Sequence, residues 1–189
     1  IITGGLGYIG TELCKLYSGK SWHHKITVID SRFKSERVNQ IRNWNMEFIQ
    51  GDILDKNLIK RYCEDADVVH HLAGVTDVPR TKSESSKAQD EKIKEVGERG
   101  TQNILDVIKN DCKIIFPSTH VVYEGIDKVK TNIQENEATK PVLSYSSSKA
   151  VNEDQLKKSG KNYVILRLGS VYGYSTDSMR IDIMPNLFS

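Results

Sequence analysis

The chain has 189 residues, 38% of them apolar and 13 of them glycine, enough for one domain with a sizeable core. Its 27 Lys and Arg stand against 25 Asp and Glu, and a formal charge of +2 gives no electrostatic footing for nucleic acid or an acidic membrane. No apolar run approaches the roughly 18–20 residues that a membrane-spanning helix needs.

The chain opens on Ile1-Ile2, which runs straight into Thr3-Gly4-Gly5-Leu6-Gly7-Tyr8-Ile9-Gly10. A strand usually has about 5–6 residues, so most of a first strand is expected to precede Ile1. Tyr8, Leu13 and Leu16 then share a helical spacing. Ile26 to Asp30 is a β-branched strand run, and Met46 to Gln50 is a second, followed by Gly51-Asp52. Leu58, Ile59 and Tyr62 mark a helix before the third run, Val68 to Leu72. Arg80 to Asp90 is polar and reads as a loop leading into a long helix with Ile93, Val96, Ile104, Leu105 and Ile108. Lys113 to Phe116 is the fourth strand, running on through Pro117-Ser118 to Thr119. Lys128 to Pro141 reads as a surface connection, Val151 and Leu156 belong to the last helix, and Tyr163 to Leu168 is the fifth run. Strands alternating with helices at this spacing imply an α/β fold, a Rossmann-type doubly wound parallel sheet with helices on both faces. No internal repeat is evident. Cys14, Cys63 and Cys112 are an odd, sparse set without metal spacing; they read as small core residues in a reducing, cytoplasmic setting. Met184 to Ser189 stop as an apolar segment begins, so the chain reads as an internal piece of a longer polypeptide.

Gly4, Gly7 and Gly10 recur every three residues between a strand and a helix. The first allows a tight turn, the second lets backbone approach a pyrophosphate at the helix N-terminus, and the third lets helix pack on strand. A glycine triplet alone also suits an ordinary turn. Asp30, 20 residues beyond Gly10, ends the next strand, where a carboxylate can bind a ribose 2′-hydroxyl. Asp52 ends the strand after that, beside the expected adenine. Together they predict a dinucleotide site. Asp30 favours NAD, because its charge repels a 2′-phosphate; Arg32, two residues on, is the counter-signal.

Tyr145-Ser146-Ser147-Ser148-Lys149 places a phenol and an ammonium four residues apart on one helix face. A phenol titrates near about 10, and a neighbouring cation moves it toward neutral pH. Tyr145 is thereby a candidate general acid/base. A solvated Tyr and Lys on a surface helix is the plain alternative. Thr119, at a strand C-terminus where open parallel sheets bind ligands, can hydrogen-bond the substrate oxygen that Tyr145 titrates. No histidine has metal spacing: His23 and His24 read as surface loop, His70 as core or helix-facing, and His120 as pocket-lining or structural.

These motifs resemble the extended short-chain dehydrogenase/reductase family, in its NAD-dependent nucleotide-sugar epimerase/dehydratase branch. Thr3 to Gly10 resembles its glycine loop and Gly51-Asp52 its adenine-side pair. His71-Leu72-Ala73-Gly74 resembles its His-x-Ala-Ala strand end. Ser118-Thr119 with Val122-Tyr123 resembles Ser-Ser/Thr-x-x-Val-Tyr-Gly, and Tyr145 with Lys149 its Tyr-x-x-x-Lys. Arg167 to Gly173 resembles Leu-Arg-x-x-x-Val-Tyr-Gly, and Pro185-Asn186-Leu187 a diphosphate-facing segment. The resemblance implies that NAD meets Gly4, Gly7, Tyr8, Ile9, Asp30, Asp52, Ile53, Leu72, Ala73, Gly74, Tyr145 and Lys149. Thr119, Tyr145 and Lys149 are implied as catalytic, with Thr119, Arg180 and Asn186 toward the substrate and no metal. It further implies a dinucleotide domain over residues 1–173, the start of a smaller substrate part over 174–189, and a homodimer.

Four departures stand out. Gly97 fills a position that is often Asn, which weakens a proton relay there. Glu124 interrupts the Tyr-Gly pair, and Ser170 replaces a frequent Asn. Thr119 is followed by His120 and Val121 rather than the acid pair of the 4,6-dehydratases, which disfavours dehydration. The leading expectation is an NAD-dependent nucleotide-sugar 4-epimerase of UDP-glucose 4-epimerase type. The rival is a reductase or dehydrogenase of the same fold with net redox chemistry, and a remote third is a non-catalytic dinucleotide-sensing module.

Overall fold

Alternate residues along the strands point into two separate cores. In a computed structural model of the chain, residues 1–19, 23–75 and 81–175 are described. Val28 packs with Ile2, Leu6, Cys14, Val38, Ile41 and Phe48. Its neighbour Ile29 packs with Ile53, Ile59, Val69, Ile104, Ile114, Phe116 and Leu156. Successive strand side chains face opposite sides of a sheet, so a strand apolar at both parities must be covered on both faces.

The strands are β1 (Ile2–Thr3), β2 (Thr27–Asp30), β3 (Glu47–Gln50), β4 (Val68–His71), β5 (Lys113–Thr119) and β6 (Asn162–Leu168). They form one six-stranded parallel sheet in the order β3-β2-β1-β4-β5-β6. The helices are α1 (Tyr8–Ser18), α2 (Ser35–Asn43), α3 (Lys56–Cys63), α4 (Lys87–Lys94), α5 (Gly100–Val107) and α6 (Ser144–Lys158). The α1 and α2 side chains share the first core, and those of α3, α5 and α6 the second. The expected doubly wound architecture is therefore present. All three cysteines are buried and unbridged.

The sequence reading needs several corrections. Leu16 is 76% exposed and does not share the core face of α1. Cys14 centres that face, and two residues further on a helix has turned by about 200°. Val151 and Leu156 do both belong to α6, with Leu156 on its buried stripe and Val151, at 40% exposed, off it. Helix α2 has no counterpart in the sequence reading, because its only apolar residues are Val38 and Ile41. It is held instead by burying both, and by Arg37, whose guanidinium donates to the Leu6 carbonyl. The stretch read as a loop up to Asp90 holds a 3-10 turn, Lys82–Glu84, and the first residues of α4. The Ser86 hydroxyl caps α4 by accepting from the Gln89 N–H at 3.3 Å. The long helix is broken in its middle by a π-helical segment, Glu95–Arg99, between α4 and α5.

Candidate active site

β1 lies between β2 and β4, so connections leave the sheet in opposite directions at its C-terminal end. Open parallel sheets bind ligands at such a switch point. The glycine loop follows β1. Gly4 has φ +70, and a Cβ there would stand 2.6 Å from the Ala73 nitrogen. Its own N–H donates to the Ile29 carbonyl at 2.7 Å. The loop after β1 thus lies directly against the loop after β4, which a side chain at position 4 would prevent. Helix α1 starts next, with Gly7 at its N-cap and no side chain capping it. Its first N–H groups face the crevice end of the sheet, the arrangement that suits a phosphate.

Asp30 ends β2 and is buried. One carboxylate oxygen accepts from the Leu6 N–H at 2.9 Å, and the other from the Arg32 N–H at 3.0 Å and its Nε at 3.2 Å. Asp52, after β3, is exposed and accepts from the Leu54 N–H at 2.9 Å. Ile53 beside it is buried, its carbonyl held by the Asn103 amide at 3.0 Å. Tyr8 is half-buried and donates its hydroxyl to the Gly173 carbonyl, while Ile9 and Gly74 are exposed and Leu72 and Ala73 half-buried. Apart from Tyr145 and Lys149 on α6, the residues expected to meet a dinucleotide therefore lie at or just beyond the C-terminal ends of β1 to β4. The glycine approach, the uncapped helix start and the acid at β2 fit such a group. To engage a ribose at Asp30, the guanidinium of Arg32, which is 54% exposed, has to turn away.

Tyr145 and Lys149 stand on the first turns of α6. A cavity of about 30 Å³ brings them together with Leu72, Ala73, Gly74 and Phe116. The Lys149 Nζ donates to the Pro117 carbonyl at 2.8 Å and lies 4.4 Å from the Phe116 ring centroid and 5.9 Å from that of Tyr145. Burial pushes the ammonium down to about 8. Thr119 ends β5 and is buried, with its hydroxyl oxygen accepting from the Val121 N–H at 3.3 Å. It is one strand-end further along and does not line that cavity. Arg180 and Asn186 lie outside the described residues, as does most of the expected substrate part over 174–189.

Histidines take structural places. His71 is buried, its Nδ1 2.9 Å from the Thr3 hydroxyl and its Nε2 3.0 Å from that of Thr101. Burial, aided by the charge of Lys149, pushes its pKa down to about 3. His70 meets the Tyr17 hydroxyl at 3.0 Å. His120 is exposed, with Nδ1 3.2 Å from the Leu168 carbonyl, and is not among the cavity's lining residues. His23 and His24 border an open hollow of about 660 Å³ at the opposite ends of β2 and β3, away from Tyr145.

Two arrangements escaped the sequence reading. Gly97 sits in the π segment, where a Cβ would come 2.4 Å from the Ser148 hydroxyl, and its carbonyl accepts from the Asn152 amide at 3.0 Å. The space an Asn side chain would need is filled from α6. The second is a hub at Glu153, which is 1% exposed. Its carboxylate accepts from Ser118 at 2.6 Å and from Arg167 at 2.8 and 2.6 Å, and Arg167 also donates to the Tyr123 hydroxyl. Burial works against this charge, but the bonds from Arg167 and Ser118 hold its pKa down. The sequence signal was available: Tyr145, Lys149 and Glu153 follow one another at four-residue spacing.

Residues 1–187 match the model of the NAD dependent epimerase/dehydratase family. The chain belongs to that family. Among its curated members it is 30% identical to the dTDP-D-glucose 4,6-dehydratase of Dictyostelium discoideum, over 92% of this chain and 44% of the relative. It is 31% identical to the putative UDP-glucose 4-epimerase of Methanocaldococcus jannaschii, over 94% of this chain and 57% of that one. The chain spans about half the length of the curated relatives it matches. The fold is that of the UDP-glucuronic acid 4-epimerase of Bacillus cereus, solved as a mutant with UDP-4-deoxy-4-fluoro-glucuronic acid and NAD; the TM-score is 0.78 at 24% identity, over 98% of this chain and 60% of that one. Among the described residues no group of three or more His, Cys, Asp or Glu side chains is placed to hold a metal, and no helix is long and apolar enough to cross a membrane.

Proposed function

We propose that the protein is an NAD-dependent nucleotide-sugar 4-epimerase. The observation that carries this reading is the cavity that joins Tyr145 and Lys149 to the segment Leu72–Gly74 at the crevice end of the sheet. A bound NAD, held at Gly4, Gly7 and Asp30, would supply the reversible hydride acceptor that inversion at C4 of the sugar needs. Gly4 and Gly7 admit its pyrophosphate, and Asp30 takes the adenine-side ribose. Tyr145 removes the proton of the C4 hydroxyl and later gives it back. The Lys149 ammonium favours the phenolate, and the Thr119 hydroxyl hydrogen-bonds the sugar oxygen. Epimerisation is preferred over dehydration because eliminating water needs a further acid and base at the end of β5. There the chain offers an exposed His120 turned to the Leu168 carbonyl, and Val121. The reading includes a dinucleotide domain over 1–173, with Arg180 and Asn186 meeting the sugar's diphosphate.

A reductase that uses NADP is the second reading, favoured by the Arg32 guanidinium against Asp30, a cation placed to meet a 2′-phosphate once it swings out. One experiment separates the two. The full-length protein is supplied with UDP-, GDP-, dTDP- and ADP-sugars, and product stereochemistry is read by NMR while absorbance at the reduced-nicotinamide band is followed. A C4 epimer formed without net reduction supports the epimerase. Stoichiometric consumption or release of reduced cofactor overturns it.

A further inference from the structure

Glu124 separates Tyr123 from Gly125 and has no part in the site as read so far. Its carboxylate is directed at the start of α6. Oε1 accepts from the backbone N–H groups of Val142 and Leu143, each at 2.7 Å, and from the Ser146 hydroxyl. An α-helix begins with N–H groups that lack an intrahelical acceptor, and a Ser, Thr, Asp or Asn at the N-cap usually satisfies one. The N-cap of α6 is Leu143, whose side chain accepts nothing. Glu124 supplies the carboxylate from another part of the chain, at the helix end where the macrodipole favours negative charge. Glu124 is exposed, so only partial desolvation opposes that charge, and the bonds from Ser146, Leu143 and Val142 hold its pKa below the ordinary value.

Gly125 makes the reach possible. Its N–H donates to the Lys140 carbonyl at 2.8 Å, and the Lys140 N–H donates to the Val122 carbonyl at 2.8 Å, so the segment entering α6 is stitched to this turn. A Cβ at position 125 would lie 2.6 Å from the Lys140 oxygen and 2.9 Å from Val142 Cγ2. Glu124 and Gly125 work as one device: the glycine admits the incoming segment and the glutamate grips it.

Thr119 opens the 3-10 turn His120–Tyr123 that ends at Glu124, and Tyr145 is the second residue of α6. We propose that Glu124 is a positioning residue for Tyr145. It ties the first turn of α6 to the turn that starts at Thr119, and so fixes the phenol relative to the Thr119 hydroxyl. This rests on the reading of Tyr145 as the acid/base.

The test uses three variants of the full-length protein. Glu124→Gln keeps the accepting oxygen without the charge, Glu124→Asp keeps the charge on a stem one methylene shorter, and Glu124→Ala removes both. Hydrogen exchange needs no activity: the Val142 and Leu143 amides should exchange about tenfold faster in Glu124→Ala, and near the wild-type rate in Glu124→Gln. Unchanged exchange in Glu124→Ala overturns the proposal. In turnover, Glu124→Ala should lose at least about tenfold in kcat while NAD affinity stays within about twofold, since Gly4 and Asp30 are untouched. Glu124→Gln should restore kcat, and Glu124→Asp should not. In a Tyr145→Phe background the alanine should cost the residual activity nothing further, because it acts through the phenol. Equal losses in both backgrounds overturn the proposal; so does a Glu124→Gln as impaired as Glu124→Asp, a comparison that holds even if the alanine variant fails to fold. A wild-type protein that turns over no nucleotide sugar brings down the reading of Tyr145 and this proposal with it; failure in an active protein brings down this proposal alone.

Discussion

At the scale of single residues, the proposed chemistry rests on the pairing of Tyr145 with Lys149, and their shared helix face was legible because four-residue spacing is a property of the sequence. Tyr145→Phe keeps the ring and loses only the titrating oxygen. Turnover should fall by at least about 10²-fold with NAD affinity retained, and steady-state kinetics beside cofactor titration check it. Thr119→Ser should be mild and Thr119→Val severe in the same assay, as the hydroxyl survives in one and only the shape in the other. His71 makes a different kind of claim. Its folded pKa of about 3 lies below the ordinary imidazole value, so the folded state stays neutral while the unfolded chain takes up a proton. Stability attached to this residue is therefore full above about pH 6.5 and is lost as pH falls toward 3. The urea midpoint of the wild type should drop more steeply between pH 7 and pH 4 than that of His71→Gln, which can still hydrogen-bond but cannot charge. Equal slopes would remove His71 as the cause. What the sequence hid at this scale are contacts made by distant residues. That Asp30 accepts from the Leu6 amide, or that Glu124 caps α6, depends on which loops meet.

Among elements, α6 and β5 carry the residues of the proposed chemistry, and Glu153 joins α6 to β5 and β6. Removing one member of a buried ion pair leaves the other uncompensated, and the usual cost is about 3–5 kcal/mol. Glu153→Ala should lower the unfolding free energy by that order, since it strands Arg167 beside Ser118 and Tyr123. Chemical denaturation measures it, and a change within about 0.5 kcal/mol, the range of an ordinary surface substitution, would show that the hub is not what holds helix to strand. The periodicity of most helices was readable, and its failures have simple causes. Helix α2 has too few apolar residues to show a period. Leu16 fits the spacing of Tyr8 and Leu13 but lies beyond the edge of the buried stripe. The π segment at Gly97 leaves no mark in the spacing, and its contacts are with Ser148 and Asn152 of α6, about fifty residues away along the chain.

The whole molecule was the most legible level, because alternation of strand and helix and a glycine loop after the first strand already prescribe a switch-point crevice. A ligand confined to that crevice stabilises only the folded chain. NAD at about 100 times its dissociation constant adds about 2.7 kcal/mol, which for a chain of this size raises the melting temperature by roughly 5–11 °C. Thermal scans with NAD and NADP should show the larger rise with NAD; a larger rise with NADP would move the assignment to the reductase. The strand order also divides the polypeptide: β1 to β3 lie on one side of the crevice and β4 to β6 on the other, joined where β1 pairs with β4. Gly4 against Ala73, and the His71 ring between Thr3 and Thr101, close this seam. A dinucleotide lying across it would touch both halves, so its binding energy acts chiefly on their parting. The cofactor would then serve as a clasp. Protease resistance becomes a measure of occupancy, with the empty chain nicked first where its two halves meet and the loaded chain surviving as one piece.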